Sequence, residues 1–104
     1  MLLSTTDSIS DKKIVRHIGL VRGNTIRAMH VGRDIMATLR NIVGGEITEY
    51  TKMIAESREQ ALDRMIEEAK NLGANAVVGL RFSTSEIMEH AAEILVYGTA
   101  VIIE

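Results

Sequence analysis

The chain is predicted to fold as a two-layer α+β protein, with an antiparallel sheet carrying one long and one short helix. Three observations carry that prediction. Apolar residues between Thr48 and Leu72 recur with a helical period. Runs rich in β-branched residues lie on both sides of that segment. The closing run, from Ile94 to Ile103, is apolar on both of its alternating faces.

Leu2 to Thr5 reads as a short strand, and Ser8 to Lys13 as a polar turn. Ile14 to Val21 is strand-like, with Ile14, Ile18 and Leu20 on one face and Val15, His17 and Val21 on the other. Arg22-Gly23-Asn24-Thr25 interrupts it before Ile26 to Val31 resumes. A Gly-Asn pair suits a hairpin turn, and a bend or bulge within one long strand suits it equally.

Ile35, Met36, Leu39, Ile42 and Val43 then form a helical stripe over 33–43, ended by Gly44-Gly45. The long helix starts near Thr48, whose hydroxyl suits a cap, and Glu49 sits where the helix dipole favours an anion. Its apolar side is Tyr50, Ile54, Ala61, Leu62, Met65, Ile66, Ala69 and Leu72. Gly73 ends it. Ala76 to Thr84 is the next strand, with Val78, Leu80 and Phe82 on one face and Val77, Arg81 and Ser83 on the other. The polar stretch from Ser85 to His90 turns the chain into the last strand.

That last strand sets an expectation about assembly. A short chain with one long helix has little material to cover both faces of a sheet, and another copy of the chain is the simplest cover for the second. Gly98, within Tyr97-Gly98-Thr99, marks a point of close approach by that other chain.

Composition narrows the class. One domain is expected over 1–104. Aromatic residues make up 3% of the chain, so the core must be aliphatic and filled by methionine. A net charge of -2 and so few rings give no electrostatic or stacking platform for nucleic acid, and no attraction to an anionic membrane. There is no signal-peptide pattern, and no apolar run approaches the roughly 20 residues that span a bilayer. With no cysteine, disulfides, thiolate catalysis and cysteine metal sites are excluded together. A soluble, cytoplasmic protein is expected.

Several blocks, taken jointly, carry a family resemblance: Arg33-Asp34, Arg40-Asn41-Ile42-Val43-Gly44-Gly45, Tyr50, the stretch Glu68-Ala69-Lys70-Asn71-Leu72-Gly73-Ala74-Asn75-Ala76-Val77-Val78-Gly79, and Tyr97-Gly98-Thr99-Ala100-Val101. They resemble the YbjQ-like family, which is labelled heavy-metal-binding and has no established reaction. The resemblance implies a dodecin-subunit-like fold that assembles as a ring, a pentamer.

Candidate sites are few. His17, His30 and His90 have no metal-ligand spacing on a helix, but His17 and His30 share the predicted long strand or hairpin and could meet each other or symmetry copies in a ring. They are the candidate metal residues, although soft metals favour the thiolates this chain lacks. Glu59, Asp63 and Glu67 repeat every four residues, which suits a hard cation or a solvated face shared with Arg58, Arg64 and Lys70. Arg33, Asp34 and Arg40, with Gly44 and Gly45 at the start of the long helix, form the best cluster outside the core. The two arginines beside glycine amides suit an anion, or they pair with carboxylates across a subunit boundary. The phosphate-loop pattern is not met. Met29, Met36, Met53 and Met65 fit the core. Ser57, Ser83 and Ser85 have no evident base.

The reading that follows is a homo-oligomeric binding or structural protein, with a metal ion or small ligand at subunit interfaces and no catalytic residues to name. An enzyme with an inter-subunit site around Arg33, Asp34 and Arg40 is one alternative. A protein-interaction scaffold without a small ligand is the other.

Overall fold

The computed structural model describes residues 1–28, 48–89 and 91–104. They form β1 (Leu2–Leu3), β2 (Ile14–Ala28), α1 (Thr48–Asn71), β3 (Ala76–Met88) and β4 (Ala91–Ile103). The four strands make one sheet in the order β1-β3-β4-β2, with α1 packed on β2 and β4. The short helix expected over 33–43 falls outside the described residues, as do the side chains of Thr48, Glu49 and Tyr50.

The sheet is mixed, which corrects the all-antiparallel expectation. β2 and β3 run antiparallel to β4, but β1 runs parallel to β3. The cause lies in the segment after β1. Its Ser4 and Thr6 carbonyls continue along β3, accepting from the Leu80 and Gly79 N–H groups (3.0 and 2.9 Å). The chain then crosses the sheet to reach Lys13, which exchanges two backbone hydrogen bonds with Glu104. A crossover of this kind returns the chain to start β2 in the same direction as β1.

β2 settles the two readings of Arg22–Thr25. These residues pair one by one with Tyr97, Val96, Leu95 and Ile94, so there is no hairpin there. Gly23 is glycine because α1 presses on it: a Cβ at that position would lie 2.1 Å from the Ala61 carbonyl oxygen and 2.5 Å from the Met65 nitrogen. The bulges in β2 sit earlier, between Ile14 and Arg16 and between His17 and Gly19. They break the simple alternation, so Ile18 and Val21 share the helix side while Leu20 faces solvent.

β3 shifts phase in the same way. Gly79 takes φ 62°, and the register slips between Val78 and Arg81. Val77 and Leu80 therefore join the helix-side core, whereas Ala76 and Val78 pack on the opposite face. The expected grouping of Val78 with Leu80 is overturned by that extra residue. β3 and β4 also extend further toward their turn than the sequence pattern showed.

α1 has the expected limits. Ala61, Met65 and Ala69 are fully buried, and Ile54, Leu62 and Ile66 pack around them. Leu72, expected on this side, is half exposed because the helix has already ended at Asn71. Gly73 (φ 85°) closes it: its N–H donates to the Lys70 carbonyl and the Ala74 N–H to the Ala69 carbonyl, both at 3.0 Å. Ser57 is buried between helix and sheet. Its carbonyl accepts from Thr25 Oγ1 (3.0 Å) and its hydroxyl donates to the Met53 carbonyl (2.8 Å). Asn75 then ties the helix exit to β4, with Nδ2 donating to the Ile103 carbonyl and Oδ1 accepting from the Ile103 N–H.

The second face of the sheet is partly covered by the chain itself. Ala76, Val78, Val101 and Ile103 form a small core there, closed by Ile9 from the crossover and by Ile14. Further along, the same face leaves Leu20 64%, Ile26 60% and Tyr97 38% exposed. Gly98 has a reason within the chain: a Cβ there would meet Val77 Cγ1 of the neighbouring strand at 2.6 Å.

The fold is long and thin. Its extents are 54 × 24 × 17 Å and its radius of gyration is 17.4 Å, where about 13 Å is usual for a compact chain of about 100 residues. No helix among the described residues is long and apolar enough to cross a membrane.

Candidate ligand clefts beside the second strand

Two clefts flank the later half of β2. The first, about 470 Å³, lies beside the helix and is lined by Arg27, Ala55, Glu56, Glu59, Gln60 and Asp63. Strand alternation puts Arg27 on the same side as the buried Val21, Gly23 and Thr25, hence under the helix. Its Nη2 donates to Gln60 Oε1 at 2.8 Å. The three carboxylates come from the solvent side of α1. A guanidinium and three carboxylates in an open cleft suit a polar ligand with hydrogen-bond donors.

The second cleft, about 490 Å³, is lined by Arg22, Asn24, Glu68, Glu93 and Leu95. Asn24 Nδ2 donates to Glu93 Oε2 at 3.2 Å, and Arg64 Nη1 reaches from the helix to the Asn24 carbonyl at 2.6 Å. A smaller apolar hollow of about 190 Å³ sits across the sheet, between Leu62 of the helix and Leu3, Leu80 and Phe82.

Of the residues marked by the sequence, His17 is exposed on β2 opposite Val101. Among the described residues, no three of His, Cys, Asp or Glu converge in a way that would hold a metal ion. His30, Arg33, Asp34, Arg40, Gly44 and Gly45 lie outside the described residues, with His90, Met29 and Met36. Glu59 and Asp63 of the acidic ladder share the first cleft, and Glu67 does not line it. Met65 is buried and Met53 half-buried, in keeping with a packing role. Ser57 is buried and its hydroxyl is engaged, so it is no nucleophile.

Arg27, Gln60, Glu68 and Glu93 were not marked by sequence reasoning. Arg27 had a usable signal, since it continues the odd-numbered series of β2. The others are single polar residues whose partners are distant in the chain.

The sequence model of a family described as "Putative heavy-metal-binding" matches residues 1–104. The chain belongs to this YbjQ family. Its relatives carry the family name UPF0145. One, from Dehalococcoides mccartyi strain BAV1, is 56% identical over 104 residues and covers all of both chains. Another, from Methanococcus vannielii, is 61% identical over 101 residues, or 97% of this chain and 96% of the relative. The fold resembles the crystal structure of a DUF74-family protein of unknown function from Pediococcus pentosaceus. There the TM-score is 0.67 at 15% identity, covering 100% of this chain and 98% of the other, and the likeness is one of fold.

A heavy metal does not fit the described residues of the chain. They offer no thiolate, no converging set of three donors, and one exposed histidine, His17. Structural metal sites usually need four ligands.

Proposed function

We propose that this YbjQ-family chain is a single-domain subunit of a homo-oligomeric ring, a pentamer, which binds a small ligand at its subunit interfaces. The observation that carries the proposal is the set of large apolar side chains the single chain leaves in water: Leu20, Ile26, Phe82 and Met88 are all exposed. Exposed apolar surface of this kind marks contacts between proteins.

Ligand binding at the interface is supported by the two clefts flanking β2, each with an arginine and at least one carboxylate in its wall. A metal ion would need donors from more than one subunit, because one subunit's described residues supply no set of three. The ring works in the cytoplasm, its partner is its own copy, and it uses neither nucleic acid nor membrane.

Native mass spectrometry of untagged protein tests the assembly and its ligand together. A fivefold subunit mass is expected, with a retained small molecule. A monomer at micromolar concentration would overturn the ring. Elemental analysis of the same sample decides the metal: about one ion per interface supports it, and a trace amount removes it while leaving the ring.

A further inference from the structure

Among the described residues no further strand pairs with either long edge of the sheet, although on β2 the Asn24 carbonyl accepts from Arg64 Nη1. β2 pairs only with β4. β3 is covered on its outer side as far as Leu80, by β1 and then by the Ser4 and Thr6 carbonyls, and is bare from Arg81 to Met88. The chain has no proline to guard either edge. Unpaired strand edges are templates for another strand.

Resting on the ring reading above, we infer that the β2 edge of one subunit, over Arg22 to Ala28, pairs in parallel with the Arg81–Met88 edge of β3 in a second copy. The direction follows from topology. β2 and β3 both run antiparallel to β4, so they point the same way. Rotation about an axis along the strands preserves both direction and level. Head-to-tail contacts of this kind close into rings.

The level follows from the register. Arg22 and Arg81 both lie opposite Tyr97, and Arg27 and Glu86 both lie opposite Ala92. The bare part of β3 therefore stands level with Arg22 to Ala28. The covered part, held by β1, stands level with the earlier half of β2.

Charge selects this partner over the simplest alternative, two β2 edges joined across a two-fold axis. β2 carries Arg16, Arg22 and Arg27 and no carboxylate, so self-pairing would gather arginines. The far part of the β3–β4 hairpin, Ser83 to Glu93, carries glutamates and neither lysine nor arginine. Rotation brings Glu86 beside Arg27 on the same face. Arg81 comes level with Arg22, but its Nη1 is already donating to the Thr5 and Leu80 carbonyls. The pairing also covers Ile26 and Ile87, both about half exposed in the single chain. Arg27 and Arg22 line the two clefts, so the neighbour's hairpin would form an added wall of each.

The absence of native cysteine makes cross-linking a clean test. Ile26 lies level with Ser85, and Ile87 is two residues on. The double variants I26C/S85C and I26C/I87C, treated with a short bismaleimide, are expected to give a ladder of covalent multimers ending at ring size. Each single variant should stay monomeric on a denaturing gel. Cross-linked dimers from I26C alone would instead establish two-fold β2 pairing and overturn the inference. An intact assembly by native mass spectrometry with no ladder from either double variant would also overturn it while sparing the ring. A monomer in that measurement would remove both.

Discussion

At Gly23 the helix backbone leaves no room for a side chain on the sheet. Any side chain there collides with the backbone of Ala61 and Met65 rather than with a flexible side-chain tip. Gly23→Ala should therefore destabilise the fold by about 1–3 kcal/mol through overpacking, seen as a lower urea midpoint at unchanged slope. Met65→Ala acts in the opposite sense, by leaving a void at a fully buried site, and should cost about 2–5 kcal/mol in the same measurement. The sequence marks Gly23 as special but leaves its reason open, because a turn, a bulge and a close approach all call for glycine. The deciding partner, Ala61, lies on a different element far along the chain.

At the scale of elements, legibility follows the range of the interactions that define each one. α1 and its end at Gly73 are legible because helical period and the glycine cap are local. The strands are legible as strands, but their faces are not. The bulges near His17 and at Gly79 each insert one residue and reverse the alternation after it. The crossover from β1 to β2 is invisible for a similar reason: Ile9 looks like one apolar residue in a polar turn, yet it closes a core over Ala76, Val78, Val101 and Ile103. Ile9→Ala should cost about 1–2 kcal/mol by area. Amide exchange should quicken along β1 and the start of β2 before it does in α1, which hydrogen-exchange mass spectrometry would resolve.

For the whole molecule, the proposed ring carries a prediction about stability. Folded subunits linked to an oligomer gain stability by mass action. The thermal midpoint should therefore rise with protein concentration in calorimetry, and a midpoint independent of concentration would count against the ring. The candidate site is the least legible level. The sequence singles out residues by type, whereas a site needs convergence, and His17 shows the difference: among the described residues it joins no set of three metal donors. Arg27 and Gln60 make the converse point: alternation places Arg27 on the helix side, but nothing local names Gln60 as its partner.

The close contact at Gly23 has one more consequence. Gly23 lies within the part of β2 whose outer edge pairs with no strand among the described residues, and Thr25, two residues on, is fastened to the helix through the Ser57 carbonyl. That edge is thus braced from behind over its middle, unlike an isolated ribbon that must be ordered before it can pair. Association loses affinity to every degree of freedom frozen on contact. A strand already held in shape by its own helix forfeits few of them, so in the proposed pairing the tight seat at Gly23 pre-organises the edge for a second copy.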